Sequence, residues 1–400
     1  MLDSLLSAVA DTTGFAELVI IKDLNVIYSY SSNSQPDKVR IASAAKWLTA
    51  ATLLALVDEG LLELDEPIGK HLQQFTGEKG EITLRQLLTH SSGFAPNSIY
   101  LKDENLSLEA SLDSIVQNVN LVARPGTQFI YGGVSMQVAA RLAEMVTGKD
   151  WETIFQEKIA LPCRMPQTDY GKTKSKNIGD GVYSTAPDYA NFLLMISNKG
   201  MFNGTKVLSS AMVEEMLSDQ TGSLEIGHTS HRFSSDKHSG YYGLGVWIDR
   251  MTINDNVVSE VSSPGAKGFV PWLNLCKDVG GVFSCNTGLE TANQVISQTK
   301  SILDSAFPKD CNDVPTRSNI PPEEVVSDSI VITFSLVVDA AVRLKLYDSL
   351  GNEVKELANS IMEPGDHTIV AGAKSLRPGI YFYRLMIDDR SETKKISIGN

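Results

Sequence analysis

The sequence of 400 residues contains no uninterrupted apolar run that approaches the ~20 residues of a membrane-spanning helix, so we expect no membrane insertion. It also lacks an excess of positive charge: 35 lysines and arginines stand against 48 aspartates and glutamates, a formal net charge of -13. Because nucleic acids and anionic membranes bind concentrated positive charge, neither is an expected partner. A chain of this length with 42% hydrophobic residues predicts two buried cores rather than one.

The N-terminus has no basic segment ahead of its first apolar residues, so it lacks the pattern of a secretory signal peptide. Residues Leu2 to Ala10 have instead the spacing of an amphipathic helix. Two interpretations remain: a cytoplasmic or periplasmic protein, or the mature form of an exported protein in which a methionine replaces the leader. The C-terminal pattern described below favours the second.

Cysteine is scarce, and the four cysteines leave the compartment open; they are Cys163, Cys276, Cys285 and Cys311. An even number permits disulfides with three possible connectivities, but four free, partly buried thiols are equally compatible with the sequence. Two of the four, Cys276 and Cys285, flank a predicted hairpin turn.

Histidine is also scarce, and half of the six fall in one polar segment, as His228, His231 and His238. The segment has no predicted helix or hairpin that would fix the geometry of metal ligands, so we expect a polar loop at the rim of a cleft. We predict no metal site and no cofactor.

The most regular apolar stretch of the chain, Ala44 to Leu62, predicts a buried helix. At its start, Ser43 and Lys46 stand three residues apart, which puts both side chains on one helix face. A serine hydroxyl is a weak nucleophile until a neighbouring group removes its proton, and an amine can do so only where its surroundings disfavour the charged form. The pair therefore predicts a nucleophile with its base.

The same Ser-x-x-Lys pattern occurs elsewhere in the chain, so the match alone is weak. The other matches lie in a polar loop, a predicted amphipathic helix and a charged C-terminal strand, as Ser234/Lys237, Ser297/Lys300 and Ser391/Lys394. Only the match at Ser43 opens a long apolar helix. We expect the other three pairs to be solvated.

Hydrophobic periodicity predicts an α+β fold. The predicted strands lie at 16–30, as a hairpin, and at 243–249, 268–276 and 281–286. The predicted helices lie at 3–11, 44–59, 108–119, 135–147, 187–198, 209–218 and 290–306. This order indicates an antiparallel sheet flanked by helices, with a separate helical part, and the cleft between them is the expected site.

Further motifs follow the Ser43 helix in a fixed order: ITLRQLLTHSSG at 82–93, PGTQFIY at 125–131, GVYSTAPDYA at 181–190 and GLGVW at 243–247. As an ordered set across residues 1–306, they resemble the serine β-lactamase and penicillin-binding-protein superfamily, with the class C β-lactamase-like and family VIII esterase branch most similar. The resemblance implies a fold in which an acyl-enzyme forms on the serine.

Carried over by position, the resemblance implies that Ser43 is the acylated nucleophile, Lys46 its base or proton relay, and Tyr131 a proton carrier to the leaving group. It also implies that the backbone amides of Ser43 and Ala266 form an oxyanion hole. His90 is expected to be a hydrogen-bonded structural histidine rather than a general base.

Two departures from the family pattern concern the substrate. The asparagine expected two residues after the tyrosine is Gly133, and the third motif aligns with Ser263-Pro264-Gly265, which lacks the usual cation. Gly265 still permits close approach of another backbone, and Lys267 follows two residues later. The candidate substrate-binding positions are therefore Gly133, Ser263, Gly265 and Lys267.

Without the pocket cation that would hold a substrate carboxylate, a neutral short-chain ester is the predicted substrate, and the protein is a predicted carboxylesterase. β-Lactams and D-amino peptides remain alternatives, because Lys267 offers a charge from another direction. A non-catalytic protein that binds cell-wall fragments or glycans is the alternative from another class, although the joint presence of Ser43, Lys46 and Tyr131 favours the enzyme.

Beyond Phe307 the composition changes to a proline-punctuated polar segment, and then to strands of alternating hydrophobicity at 330–336, 341–347 and 379–385. This predicts a hydrolase domain at 1–307, a linker at 308–322 and a small β-sandwich at 323–400.

The sandwich resembles the C-terminal sorting domain of the type IX secretion system, through YDSLGNEV at 347–354, LRPGIYFYRL at 376–385 and ETKK at 392–395. The resemblance implies a secreted or cell-surface protein that contacts the secretion machinery through residues 323–400. An accessory sandwich with a binding role of its own is the alternative, since fold alone does not set function.

Overall fold

The computed structural model describes residues 2–33, 38–103, 105–174, 176–222, 224–229, 241–251, 257–285, 287–309, 311, 329–336, 339–348, 353–372, 376, 379–387 and 390–398. The chain divides into two compact units, Met1–Asn312 and Asp313–Asn400. Most of the predicted linker at 308–322 lies outside the described residues, so its extent stays a prediction.

The strands and helices of the first unit follow the chain in mixed order. The strands are β1 (Ala16–Lys22), β2 (Asn25–Ser31), β3 (Val39–Arg40), β4 (Gln128–Ile130), β5 (Tyr183–Ser184), β6 (Met201–Phe202), β7 (Thr205–Lys206), β8 (Glu225–His228), β9 (Trp247–Met251), β10 (Val258–Ser262), β11 (Phe269–Asn274) and β12 (Val279–Cys285). The helices are α1 (Leu2–Thr13), α2 (Ala45–Asp58), α3 (Leu84–Leu88), α4 (Leu108–Asn118), α5 (Val134–Thr147), α6 (Trp151–Phe155), α7 (Ala186–Ser197), α8 (Ser210–Leu217) and α9 (Leu289–Ala306).

The largest sheet of the described residues is antiparallel and runs in the order β2-β1-β12-β11-β10-β9. Side chains of a strand point alternately to opposite sides of the sheet, and helices pack against both faces. Leu18 and Ile20 of β1 pack in a cluster with Leu6 of α1 and residues of α9, whereas Val19 and Ile21 belong to the larger core that contains α2 and α7. The predicted α+β architecture is confirmed.

Helix α2 is buried on all sides over Ala45 to Leu56, which explains why its sequence has no polar face. A 3₁₀ turn, Ala42–Ala44, leads into it and carries the predicted nucleophile. The turn lies against the end of the sheet, where the Ser263 hydroxyl donates a hydrogen bond of 3.4 Å to the Ser43 carbonyl. The fold thus brings the start of α2 to the residue that follows the end of β10.

One predicted strand is shorter in the structure than its sequence pattern. The segment predicted as a strand at 243–249 enters the sheet only at Trp247, because the preceding residues form a turn in which the Gly243 amide donates to the Val246 carbonyl. Gly245, with φ +77°, adopts a conformation that glycine accepts and a strand does not.

The cysteines form one disulfide within the first unit, between Cys276 in the β11–β12 turn and Cys311 beyond α9. Cys163 and Cys285 are free and buried. The two cysteines that flank the hairpin therefore do not pair with each other, since strand register separates them. No helix in the described ranges combines the length and apolar character that crossing a bilayer requires.

The second unit consists of strands β13 (Ser329–Leu336), β14 (Ala340–Asp348), β15 (Glu353–Met362), β16 (Gly365–Gly372), β17 (Gly379–Ile387) and β18 (Arg390–Ile398). They form a sheet in the order β15-β14-β17-β18 and a pair, β13-β16. Side chains from both, including Phe334, Leu344 and Tyr383, share one hydrophobic cluster. Two sheets over one core make the predicted small sandwich.

Candidate active site

The predicted nucleophile and base lie side by side at the start of α2. Lys46 Nζ lies 3.1 Å from Ser43 Oγ and also donates to the carbonyl of Gly179 at 2.9 Å. The lysine is 4% exposed, whereas Ser43 is half-buried. Ala42, next to the serine, has φ +48°, a conformation that costs a non-glycine residue on the order of 1 kcal/mol and marks a strained turn.

Tyr131 reaches the same place from a different element, directly after β4. Its ring lies under the lysine, with Lys46 Nζ 4.8 Å from the ring centroid. Its backbone amide donates to the carbonyl of His228 at 2.9 Å, so the parallel pairing of β4 with β8 holds the tyrosine in position. The structure thus brings together the three residues that the sequence proposed as catalytic.

An aromatic cluster of Phe129, Tyr242, Trp247 and His90 packs beside the Tyr131 ring. The Trp247 ring is tilted by 33° at a centroid distance of 4.9 Å from Tyr131, and the His90 ring lies at 4.6 Å. Burial, together with the neighbouring Tyr131, raises the pKa of Tyr242 well above its ordinary value. The cluster therefore supplies an uncharged aromatic wall beside the tyrosine.

His90 is completely buried and has φ +57°. Burial, and secondarily the charge of Lys46, lowers the pKa of His90 well below its ordinary value, so the ring is neutral at physiological pH. Neither ring nitrogen has a hydrogen-bond partner among the described residues, so the hydrogen-bonded histidine expected from the sequence is not found there.

The two amides proposed for an oxyanion hole have no acceptor among the described residues, whereas their neighbours do. Gly265 donates to the Phe269 carbonyl at 2.7 Å and Ser263 to the Pro271 carbonyl at 3.2 Å. A Cβ at Gly265 would collide with the carbonyl of Ile41, so only glycine lets the segment after β10 approach the nucleophile turn so closely.

The candidate substrate-binding residues have different surroundings. Ser263 is buried, and its hydroxyl contacts the backbone of Ser43 rather than open space. Gly133 is half-buried at the start of α5 and donates to the Pro96 carbonyl at 2.8 Å. Lys267 is exposed in the turn after Ala266. Of these positions, only Lys267 presents a polar side chain to solvent.

Several residues that shape the site were missed by the sequence interpretation. The Gly179 carbonyl contacts the lysine amine, and the Tyr189 hydroxyl donates to the Ala44 carbonyl at 2.8 Å. Tyr189 belongs to the 181–190 motif, which offered a signal. Gly179 contacts the lysine through its backbone carbonyl, a group that every residue has, so the sequence contains no signal for it.

The histidine-rich segment begins with a strand and not with a loop, because His228 belongs to β8. His231 and His238 lie outside the described residues. Within the described ranges, no group of three histidine, cysteine, aspartate or glutamate side chains is arranged to hold a metal ion.

A buried helix that begins with a hydroxyl and an amine one turn apart, beside an antiparallel sheet flanked by helices, defines a serine hydrolase of the penicillin-binding class. The β-lactamase family model matches residues 2–295, and the chain belongs to this family. The model of a secretion system C-terminal sorting domain matches residues 326–399. Both resemblances stated from the sequence are confirmed.

The relatives agree with this assignment. A putative β-lactamase from Bacteroides dorei DSM 17855 is 31% identical with a TM-score of 0.68, covering 74% of this chain and 97% of that one. Protein flp of Staphylococcus aureus (strain COL) is 27% identical over 184 residues, which are 42% of this chain and 37% of that protein. The chain thus matches only about a third of the length of this curated relative.

A shorter match joins the chain to an acyl-transferring enzyme. Monacolin J acid methylbutanoyltransferase of Aspergillus terreus (strain NIH 2624 / FGSC A1156) is 30% identical over 148 residues, which are 31% of this chain and 35% of that protein. Relatives of this chain are therefore named for different reactions, and the resemblance alone does not specify the substrate.

Proposed function

We propose that the protein hydrolyses neutral short-chain esters through an acyl-enzyme on Ser43. The observation that carries the proposal is the contact of 3.1 Å between Ser43 Oγ and the amine of the buried Lys46. Hydrogen-bond distance between nucleophile and base is the geometry that activation of a serine requires.

In the acylation step the amine of Lys46 accepts the Ser43 proton as Oγ bonds to the ester carbonyl carbon. The carbonyl oxygen takes up the electron pair, and the amides of Ser43 and Ala266 stabilise the resulting oxyanion. When the carbonyl re-forms, the bond to the alkoxide breaks. Tyr131 passes a proton to the departing alcohol and recovers one from Lys46.

Deacylation uses the same groups in the opposite direction. Water enters the position that the alcohol has left, Tyr131 and Lys46 take its proton, and the hydroxide adds to the acyl carbon. The second tetrahedral intermediate collapses, the bond to Oγ breaks, and Ser43 regains its proton. The products are the free acid and the restored enzyme.

The preference for neutral esters rests on the third motif. Ser263 replaces a cation there, and its hydroxyl is occupied by the Ser43 carbonyl. Pro264 has no amide hydrogen to offer a carboxylate. A relative named for transfer of a methylbutanoyl group supports a short acyl chain.

Lys267 favours a second candidate, the hydrolysis of β-lactams or D-amino peptides. Its side chain is exposed one residue after the proposed oxyanion amide of Ala266. A lysine at this position offers a substrate carboxylate the positive charge that the third motif lacks.

Export accompanies the proposed activity. The sorting domain at 326–399 indicates secretion through the type IX system and an extracellular or cell-surface location. We propose that residues 323–400 contact the secretion machinery, while the first unit meets small-molecule substrates outside the cell.

We expect Ser43→Ala to abolish hydrolysis of a short-chain nitrophenyl ester, because no other group would form the acyl bond. Mass spectrometry of the wild-type protein with a slowly released ester should reveal an adduct on Ser43. The matched control is Ser297→Ala, which changes the exposed serine of another Ser-x-x-Lys pattern in α9 and should leave turnover unchanged.

A panel of nitrophenyl esters, cephalosporins and D-amino peptides separates the two candidate substrates. Turnover of a cephalosporin as fast as that of the ester, lost in Lys267→Ala, would contradict the ester preference. Turnover that survives in Ser43→Ala would contradict the proposed nucleophile, and binding of cell-wall fragments without turnover would indicate a non-catalytic protein.

A further inference from the structure

Gln137 is a fully buried polar side chain on α5 that the proposed reaction does not use. Its Oε1 accepts a hydrogen bond of 3.1 Å from the backbone amide of Ile178. Its Nε2 donates at 3.4 Å to the hydroxyl of Ser111, which in turn donates to the Tyr100 carbonyl at 2.9 Å. Both ends of the amide are therefore paired, and its orientation is fixed.

The carbonyl of Ile178 is bound by a residue of α2, Thr49. Thr49 Oγ1 lies 3.2 Å from the Ile178 carbonyl, 3.0 Å from the Ala45 carbonyl and 2.8 Å from the Tyr170 hydroxyl. The tyrosine can donate to Oγ1, so the single threonine hydrogen is shared by the two carbonyls. Gln137 and Thr49 thus hold Ile178 between α5 and α2. The hydrogen bond from the Ile178 amide to Gln137 is not shared with another acceptor, whereas the Thr49 hydrogen is divided between two carbonyls.

The residue after Ile178 contacts the proposed base. The Gly179 carbonyl accepts the hydrogen bond of 2.9 Å from Lys46 Nζ. A Cβ at Gly179 would lie 3.3 Å from Lys46 Nζ and 3.6 Å from the Gly133 Cα, so the backbone passes in close contact with the amine. A displacement of Ile178 would therefore move the acceptor that orients Lys46.

We propose that Gln137 is a positioning residue: through the Ile178 amide it places the Gly179 carbonyl that holds Lys46 Nζ beside Ser43. The inference rests on the proposed function, because it assigns Gln137 a part in the acylation step. Gln137 does not touch the substrate. Its loss should slow bond formation while substrate binding stays the same, since misplacement of a reacting group acts on the chemical step.

The test is Gln137→Met, which keeps the side-chain length and removes both hydrogen bonds. We expect the acylation rate constant for a nitrophenyl ester, measured from the pre-steady-state burst, to fall on the order of 10- to 100-fold. The dissociation constant of the substrate should stay within about twofold, because no binding contact is removed.

The control is Ser135→Ala on the same helix, which removes a buried hydrogen bond of 2.8 Å to Ser92 without touching Ile178. It should lower thermal stability and leave acylation unchanged. Wild-type acylation in a folded Gln137→Met protein would overturn the inference. So would an equal loss in both variants, since that would indicate general loosening of α5.

Thr49→Val gives a second, isosteric test should Gln137→Met fail to fold. We expect a smaller loss in acylation, about 3- to 10-fold, because the threonine hydrogen is shared; no loss would contradict the inference. In the double variant, the two losses should be less than multiplicative, since both act through Ile178. Ser43→Ala is measured in parallel so that the two proposals can fail separately. Activity in Ser43→Ala refutes the hydrolase mechanism. Normal acylation in Gln137→Met, together with an inactive Ser43→Ala, refutes only the role of Gln137.

Discussion

At the scale of single residues, the site depends on burial as much as on spacing. Lys46 and His90 are both polar and both enclosed, but among the described residues only the lysine side chain has hydrogen-bond partners. An unpartnered imidazole in an aromatic cluster is tolerated because it is neutral, and protonation there would place a positive charge in a fully buried ring that has no hydrogen-bond partner among those residues. This makes His90 a source of acid sensitivity.

Acid destabilises the folded protein through His90. The pKa of folded His90 lies well below the ordinary value of 6.5, so below that pH the unfolded chain binds a proton that the folded protein does not. The folded protein therefore keeps its full free energy of unfolding above pH 6.5. It loses part of that free energy as the pH falls from 6.5 toward the pKa of folded His90, by up to about 1.4 kcal/mol per pH unit.

We therefore expect the free energy of unfolding of the wild type, measured in urea, to fall more steeply between pH 6.5 and about 5 than that of His90→Asn. Asparagine suits the comparison because it does not titrate there and accepts the positive φ at this position. Equal pH slopes for the two proteins would contradict the buried, neutral histidine.

At the scale of elements, the turn before β9 illustrates how a strand-like sequence is overridden. The apolar side chains of Leu244 and Val246 favour a strand, but the turn packs them into the main core beside α2. At Gly245 a Cβ would lie 2.5 Å from the Cβ of Ala50 and 2.6 Å from the Lys46 carbonyl. The turn thus sets the distance between β9 and the helix that carries the proposed base.

Gly245→Ala should therefore be far more harmful than an equivalent change elsewhere. Gly204 has a similar positive φ, +82° compared with +77° at Gly245, but a Cβ at Gly204 would meet nothing within 4 Å. Gly204→Ala should cost about 1–2 kcal/mol from backbone strain alone. Gly245→Ala should cost about 1–3 kcal/mol more, because the methyl group pushes against α2.

Urea unfolding of both variants measures this difference, and ester turnover provides a second readout. We expect Gly245→Ala to slow acylation by displacing Lys46, while Gly204→Ala keeps the wild-type rate. Equal destabilisation of the two proteins would show that the close approach to α2 does not matter.

At the scale of the whole molecule, the chain has separate hydrophobic cores in its two compact units. Leu53 of α2 lies in the main core of the first unit and Leu344 of β14 in the core of the sorting sandwich, and both are fully buried. Because a large-to-small change in a core costs its own domain the lost contacts and a cavity, the two leucines should affect different properties.

We expect Leu344→Ala to lower the stability of the C-terminal unit by about 2–5 kcal/mol and to leave ester hydrolysis by the purified protein unchanged. Leu53→Ala should lower the stability of the first unit by a similar amount and reduce hydrolysis as well. Calorimetry and turnover on the same samples measure both effects. Hydrolysis that falls in Leu344→Ala as much as in Leu53→Ala would contradict functional independence of the units.

The sequence by itself determined the pairing of Ser43 with Lys46 at the start of the buried helix, the α+β order of elements and the all-β tail. These features rest on local spacing: a period of 3.6 or 2 residues places side chains on one face regardless of the rest of the chain. The ordered motifs added the family and the sorting domain, both confirmed. The catalytic roles of the site residues stay predictions.

Only the tertiary structure decided what lies around that pair. Three of its contacts join segments distant in sequence: the Gly179 carbonyl with Lys46, the Ser263 hydroxyl with the Ser43 backbone, and Cys276 with Cys311. The structure also decided that the His90 ring has no hydrogen-bond partner among the described residues. Such contacts depend on the packing of whole elements, and those made by backbone carbonyls involve groups that every residue carries. A pattern of side chains therefore cannot indicate them, although they fix where the reactive groups stand.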